Sequence, residues 1–91
     1  MEIKVAEIFE KYNEDLVQTN NELSRLILGK NIELYEYNED SKDYDFIERY
    51  KILSVFLWED EQLAFEFGPD EYDVCSINRT DLIKINEEGT L

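Results

Sequence analysis

Histidine is absent from this chain, and cysteine and proline occur once each. Without histidine, neither a Ser–His nor a Cys–His catalytic pair can form, and metal sites built from His and Cys are excluded. The lone Cys75 cannot close an intrachain disulfide, which fits a reducing compartment. It shares strand parity with Ile77 and reads as a core thiol rather than a nucleophile. Gly29, Gly68 and Gly89 are isolated, so no glycine-rich loop can cradle a phosphate. Apolar runs are only a few residues long, far short of the roughly 20 that a membrane span needs. The opening Met1-Glu2-Ile3-Lys4 does not resemble a signal peptide, and a cytoplasmic protein is expected.

Positive charge is also scarce. Nine Lys and Arg face 23 Asp and Glu, for a net charge of −14. Such a surface repels naked nucleic acid and anionic lipid, so neither is an expected partner. A basic protein is attracted by the same physics. Paired carboxylates could in principle serve acid–base chemistry, but a chain this short seldom holds the pocket that such work requires. Asp40, Asp43 and Asp45 are dense in oxygen yet lack the spacing and glycine of a calcium loop. No cofactor and no metal are expected, and the chain is not expected to be an enzyme.

What is present is a core. With 43% hydrophobic residues in 91, the chain reads as one domain, helical over 1–28 and sheet over 30–87. Val5, Phe9, Tyr12, Leu16, Thr19, Leu23 and Leu26 recur at alternating steps of four and three, which is helical periodicity close to a heptad seam. Gly29 stands where a C-terminal cap belongs. Thr19 and Glu22 have capping-box spacing. The segment therefore reads either as one helix over residues 3 to 28 or as two meeting near Asn20, and the unbroken seam favours one.

From Lys30 the period changes to two. Strands are expected at Asn31–Tyr37, across Tyr44–Trp58, at Gln62–Phe67, at Tyr72–Ile77 and at Leu82–Ile85. Gly68-Pro69-Asp70 marks a turn, and Asn78 to Asp81 reads as a tight turn or one helical turn. Residues 86–91 read as frayed. The expected fold is α+β: an N-terminal amphipathic helix followed by a small, strongly bent antiparallel sheet of about five strands, an SH3-like or OB-like barrel. Phe46, Ile52, Leu53, Val55, Phe56, Leu57, Leu63, Phe65, Val74, Ile77 and Ile83 are the expected core.

The acids cluster. Glu33, Glu36, Glu39, Asp40, Asp43, Asp45 and Glu48 fall in one hairpin-sized segment offset only by Lys42, Glu59-Asp60-Glu61 marks a turn, and Asp70, Glu71 and Asp73 mark a third cluster. On one strand face, i and i+2 carboxylates lie roughly 6.7 Å apart, similar to neighbouring phosphates of a nucleic acid. The leading expectation is a non-enzymatic acidic protein that inhibits a basic, nucleic-acid-handling partner by charge mimicry, in the style of nuclease inhibitors, immunity proteins and phage anti-defence proteins. Its partner-binding residues would be Glu33, Glu36, Glu39, Asp40, Asp43, Asp45, Glu59, Asp60 and Glu61. The alternative is a small structural or adaptor protein that self-associates as a homodimer through Phe9, Tyr12, Leu16 and Leu23 on the helix. The acidic surface has a plainer reading as well, that of a solvated face that only confers solubility.

Overall fold

The computed structural model describes residues 1–68 and 73–86. The chain runs β1 (Glu2–Lys4), α1 (Val5–Lys11), α2 (Leu16–Ile27), β2 (Asn31–Asn38), β3 (Asp43–Leu57), β4 (Leu63–Phe67), β5 (Asp73–Ser76) and β6 (Leu82–Ile85). Two helices and a six-stranded antiparallel sheet make it α+β. The Gly68-Pro69-Asp70 turn lies mostly outside the described residues, as do Glu71, Tyr72 and residues 87–91.

The helical segment is broken, but not near Asn20. Asn13 and Glu14 both adopt left-handed backbone, with φ of 53° and 63°, which an α-helix cannot continue through. Asp15 then caps α2: its Oδ1 accepts from the backbone N–H of Val17 at 3.0 Å and of Gln18 at 3.2 Å. The Thr19–Glu22 pair lies inside α2 and caps nothing. Glu22 instead ties the two helices together, accepting from Lys11 Nζ at 3.3 Å, the Tyr12 hydroxyl at 3.2 Å and Arg25 at 2.7 Å. Gly29, at φ 76°, ends α2 as expected, and its N–H donates to the Ile52 carbonyl at 2.9 Å. Ile3 also departs from expectation. It belongs to a strand and pairs with Ile83.

Breaking the helix lets both pieces lie on the sheet. Phe9 and Leu23 are buried in a common core with Val5, Ile8, Ile27, Ile32, Ile52 and Ile83, while Tyr12 and Leu16 pack against it, half-buried. The stripe expected to need a second copy is therefore covered within the chain. Of the four residues expected to mediate self-association, Phe9 and Leu23 are buried within the chain, and Tyr12 and Leu16 keep part of their surface.

The sheet order is β1-β6-β2-β3-β4-β5, with β3 shared between two halves. Asp43 to Lys51 pair with β2, and Ile52 to Leu57 pair with β4. A straight strand of 15 residues would span roughly 45 Å. The molecule measures 33 × 31 × 21 Å along its principal axes, and two register shifts interrupt β3, each of which bends a strand. Among the described residues no ladder joins β1 to β5, so the sheet is open rather than a closed barrel.

Two bulges set the faces of β3. The register shifts between Leu34 and Tyr35, leaving Ile47 unpaired, and again between Ile52 and Ser54, leaving Leu53 unpaired. Each extra residue switches which parity points inward. Ile52, Val55, Leu63, Phe65, Ile77 and Ile83 are buried as expected. Phe46 is not: upstream of the first bulge it turns outward and is 49% exposed. Leu53, a bulge residue, is only half-buried, and so is Phe56, which points outward beyond the second bulge. Leu57 ends its strand, and Val74 points away from the core on edge strand β5; both are exposed.

Candidate functional site

Beyond the bulge at Ile47, β2 and β3 continue as a hairpin. Tyr35 pairs with Phe46, Glu36 with Asp45, Tyr37 with Tyr44, and Asn38 with Asp43, with a short loop between. Directly paired residues share a face. One face therefore carries Glu36, Asp45, Asn38 and Asp43, and the other carries four aromatic rings. Asn38 shapes the tip: its Oδ1 accepts from the backbone N–H of Asp40 at 2.9 Å, and its Nδ2 donates to Asp45 Oδ2 at 2.9 Å. Lys42 closes the loop at φ 58°, and its N–H donates to the Asn38 carbonyl at 2.8 Å.

Of the nine acids expected to bind a partner, five belong together here: Glu36, Glu39, Asp40, Asp43 and Asp45. All five are exposed, and among the described residues none lies in an ion pair. Glu33 does not belong with them. It faces the other way, accepts from Arg49 Nε at 3.0 Å and from the Tyr35 hydroxyl at 3.1 Å, and sits next to Lys84 across the ladder. Arg49 first, then Tyr35, hold its carboxyl below the usual range. Glu59, Asp60 and Glu61 form a short 3-10 turn beyond Leu57, at the opposite end of β3 from the hairpin tip. The two clusters cannot merge into one patch. Of the third, Asp70 and Glu71 lie outside the described residues, and Asp73 opens β5.

The aromatic face is the part that sequence reasoning missed, since Phe46 was assigned to the core. Tyr35 and Phe46 meet edge to face with centroids 5.5 Å apart, and Tyr37 and Tyr44 repeat the arrangement at 5.4 Å. The signal was available. Tyr35-Glu36-Tyr37 and Tyr44-Asp45-Phe46 alternate ring and acid on both arms, so a hairpin built from them separates the two chemistries.

Other groups with chemical potential are distributed elsewhere. A cleft of about 640 Å³ is lined by Glu48, Tyr50, Lys51, Phe67 and Asp73 among others, with both charge signs present. Cys75 packs half-buried against Phe65, and burial pushes its thiol up. Burial, then the neighbouring Cys75, pushes the Tyr50 phenol up to about 12. Asp81 is 2% exposed. Its Oδ2 accepts from the Asn78 N–H at 2.8 Å, while its buried Oδ1 has no hydrogen-bond partner among the described residues. Among the described residues, no group of three or more His, Cys, Asp or Glu is placed to hold a metal ion, and no helix is long and apolar enough to cross a membrane. No protein-family model, curated protein or solved structure matches the chain.

Proposed function

We propose that this chain is a non-enzymatic acidic binding protein that occupies a basic, nucleic-acid-handling protein partner in the cytoplasm, with the β2–β3 hairpin as its contact. The observation that carries this reading is the hairpin itself: five exposed carboxylates without cationic partners among the described residues, held on two paired strands and their loop. Unpaired charge that is mostly negative, with only Lys42 opposing it, concentrated on one hairpin, steers a basic groove toward it. Inhibition by charge mimicry follows if that groove is the one that holds DNA or RNA. The strand order β6-β2-β3-β4-β5, with a long bent strand serving both halves, supports an SH3-like plan in which the hairpin is an extension rather than part of the core. Self-association through the helices, the competing reading, is less favoured because Phe9 and Leu23 are buried against the sheet.

Replacing Glu39, Asp40, Asp43 and Asp45 by their amides keeps shape and polarity and removes charge. For a partner captured from the native cell by salt-graded elution, affinity should fall several-fold or more and become less sensitive to salt. The fold should survive. Unchanged affinity in the amide variant, with Glu59 to Glu61 neutralised as well, would end the proposal and leave the acids as solubilising charge.

A further inference from the structure

The outward face of the hairpin is a ladder of ring pairs, and its inner rung is already filled. Lys84 Nζ lies 4.7 Å from the centroid of the Tyr35 ring, and Arg49 Cζ lies 6.0 Å from that of Phe46. Arg49 also donates to Glu33, which the Tyr35 hydroxyl joins. Cation, ring and carboxylate thus meet in one arrangement, supplied wholly by the chain.

One step outward, the Tyr37–Tyr44 pair repeats the ring geometry, with an interplanar angle of 69° at both rungs. Tyr37 is 40% exposed. Among the described residues no cation lies over either ring. The acids that flank these rings in sequence, Glu36, Asp43 and Asp45, are on the opposite face and, among the described residues, are without cationic partners. The outer rung has the same ring pair as the inner one but lacks the cation, and the acids beside it project from the opposite face of the hairpin.

We propose that the Tyr37–Tyr44 rung receives an arginine side chain from a basic segment of the partner. This rests on the reading of the hairpin as the partner-binding arm and specifies what that arm recognises. A guanidinium is planar and weakly hydrated, so it can lie flat on a ring and give up little hydration in doing so. A lysine ammonium is compact and strongly hydrated, and gains less from the ring. The net charge of −14 favours a cationic polypeptide over a nucleic acid as the occupant.

The test titrates the full chain with nona-arginine and with nona-lysine at matched ionic strength. Nona-arginine should bind about threefold more tightly or better, the scale of an exposed cation–ring contact. Tyr37→Leu with Tyr44→Leu should erase that preference while leaving the nona-lysine affinity unchanged. Tyr37→Phe with Tyr44→Phe keeps both rings and should keep the preference, which guards against a simple loss of hairpin structure. Equal affinities for the two peptides overturn the inference, as does a preference that survives the leucine pair. The two readings fail differently. If the amide variants of Glu39, Asp40, Asp43 and Asp45 abolish binding of both peptides while the leucine pair changes nothing, the charge reading stands and the arginine site falls. If the amides change nothing and the leucine pair erases the preference, the arginine site stands and the charge reading falls.

Discussion

Phe65→Ala should lower the stability of the fold by about 3–5 kcal/mol, the range for emptying a fully buried aromatic site. Phe65 has no exposed surface, and its strand β4 lies between β3 and β5, where Val55 and Cys75 are its paired neighbours. Its ring also meets those of Tyr50 and Phe67, at centroid distances of 5.1 and 5.9 Å. No short side chain can reach all of these, so a cavity would remain. Domains of this size hold only about 5–15 kcal/mol in total, so the loss would bring the protein close to unfolding. Leu53→Ala, by contrast, should cost only about 1 kcal/mol, because a half-buried bulge residue leaves no closed cavity. Chemical denaturation of both variants decides the matter. Equal losses at the two positions would mean that the inward face of β3 has been assigned wrongly.

Asp81→Asn should stabilise the protein at pH 7 by about 1–3 kcal/mol. Burial first, opposed by the Asn78 N–H and reinforced by the charge of Glu36, pushes the Asp81 carboxyl up to about 6. Its ordinary value is 3.8. The folded state therefore binds the proton more tightly than the unfolded chain does. The stabilisation that results is fully present below about pH 4, falls away as pH rises through about 6, and is absent at neutrality. At pH 7 the chain holds a charged, poorly solvated carboxylate with one orphaned oxygen, which is costly. Asparagine removes the charge and keeps an acceptor for Asn78. The variant should show a flatter stability profile between pH 4 and 6 than the parent, as read by denaturant midpoints across that range. Parallel profiles, or a variant weaker than the parent at pH 7, would contradict this account. The site also has a structural duty, since the Asp81 carbonyl accepts the first helical N–H, that of Val5, at 3.1 Å.

The period change at Lys30, the Gly29 cap, the turn at Asn78 to Asp81 and the places of most strands were legible from composition and spacing alone. What escaped depends on single residues of register. Tyr44, Phe46, Tyr50, Ile52, Phe56 and Trp58 share one parity in the sequence, yet only Tyr50 and Ile52 point inward, because Ile47 and Leu53 each add a residue to one strand and none to its partner. Nothing in the side chains of Ile47 or Leu53 announces a bulge. The helix break was missed for a related reason. Periodicity persisted across Asn13 and Glu14, since a turn that leaves both helices on the same core preserves the apolar stripe while changing its direction. The acids of the hairpin were found from density. Their separation from Glu33 and from Glu59 to Glu61 needed the pairing register and the length of β3.

An open sheet has ends, and here those ends are short: β1 has three residues and β5 has four. Neither is covered by another strand among the described residues, so each presents unpaired backbone groups to any second sheet that approaches. Mutual repulsion between highly charged copies keeps such edges apart at neutral pH. That protection is conditional, because it vanishes near the isoelectric point of about 4.1. The contribution of Asp81 to stability is greatest in that same acid range, so folded copies are the ones expected to meet there and join edge to edge. Light scattering at pH 4 should rise with time while near-ultraviolet circular dichroism stays native, and neither should change at pH 7. Acid-induced polymers that form only after the native signal is lost would show that the edges are innocent. The negative charge of the chain would then have no duty as a barrier against polymerisation.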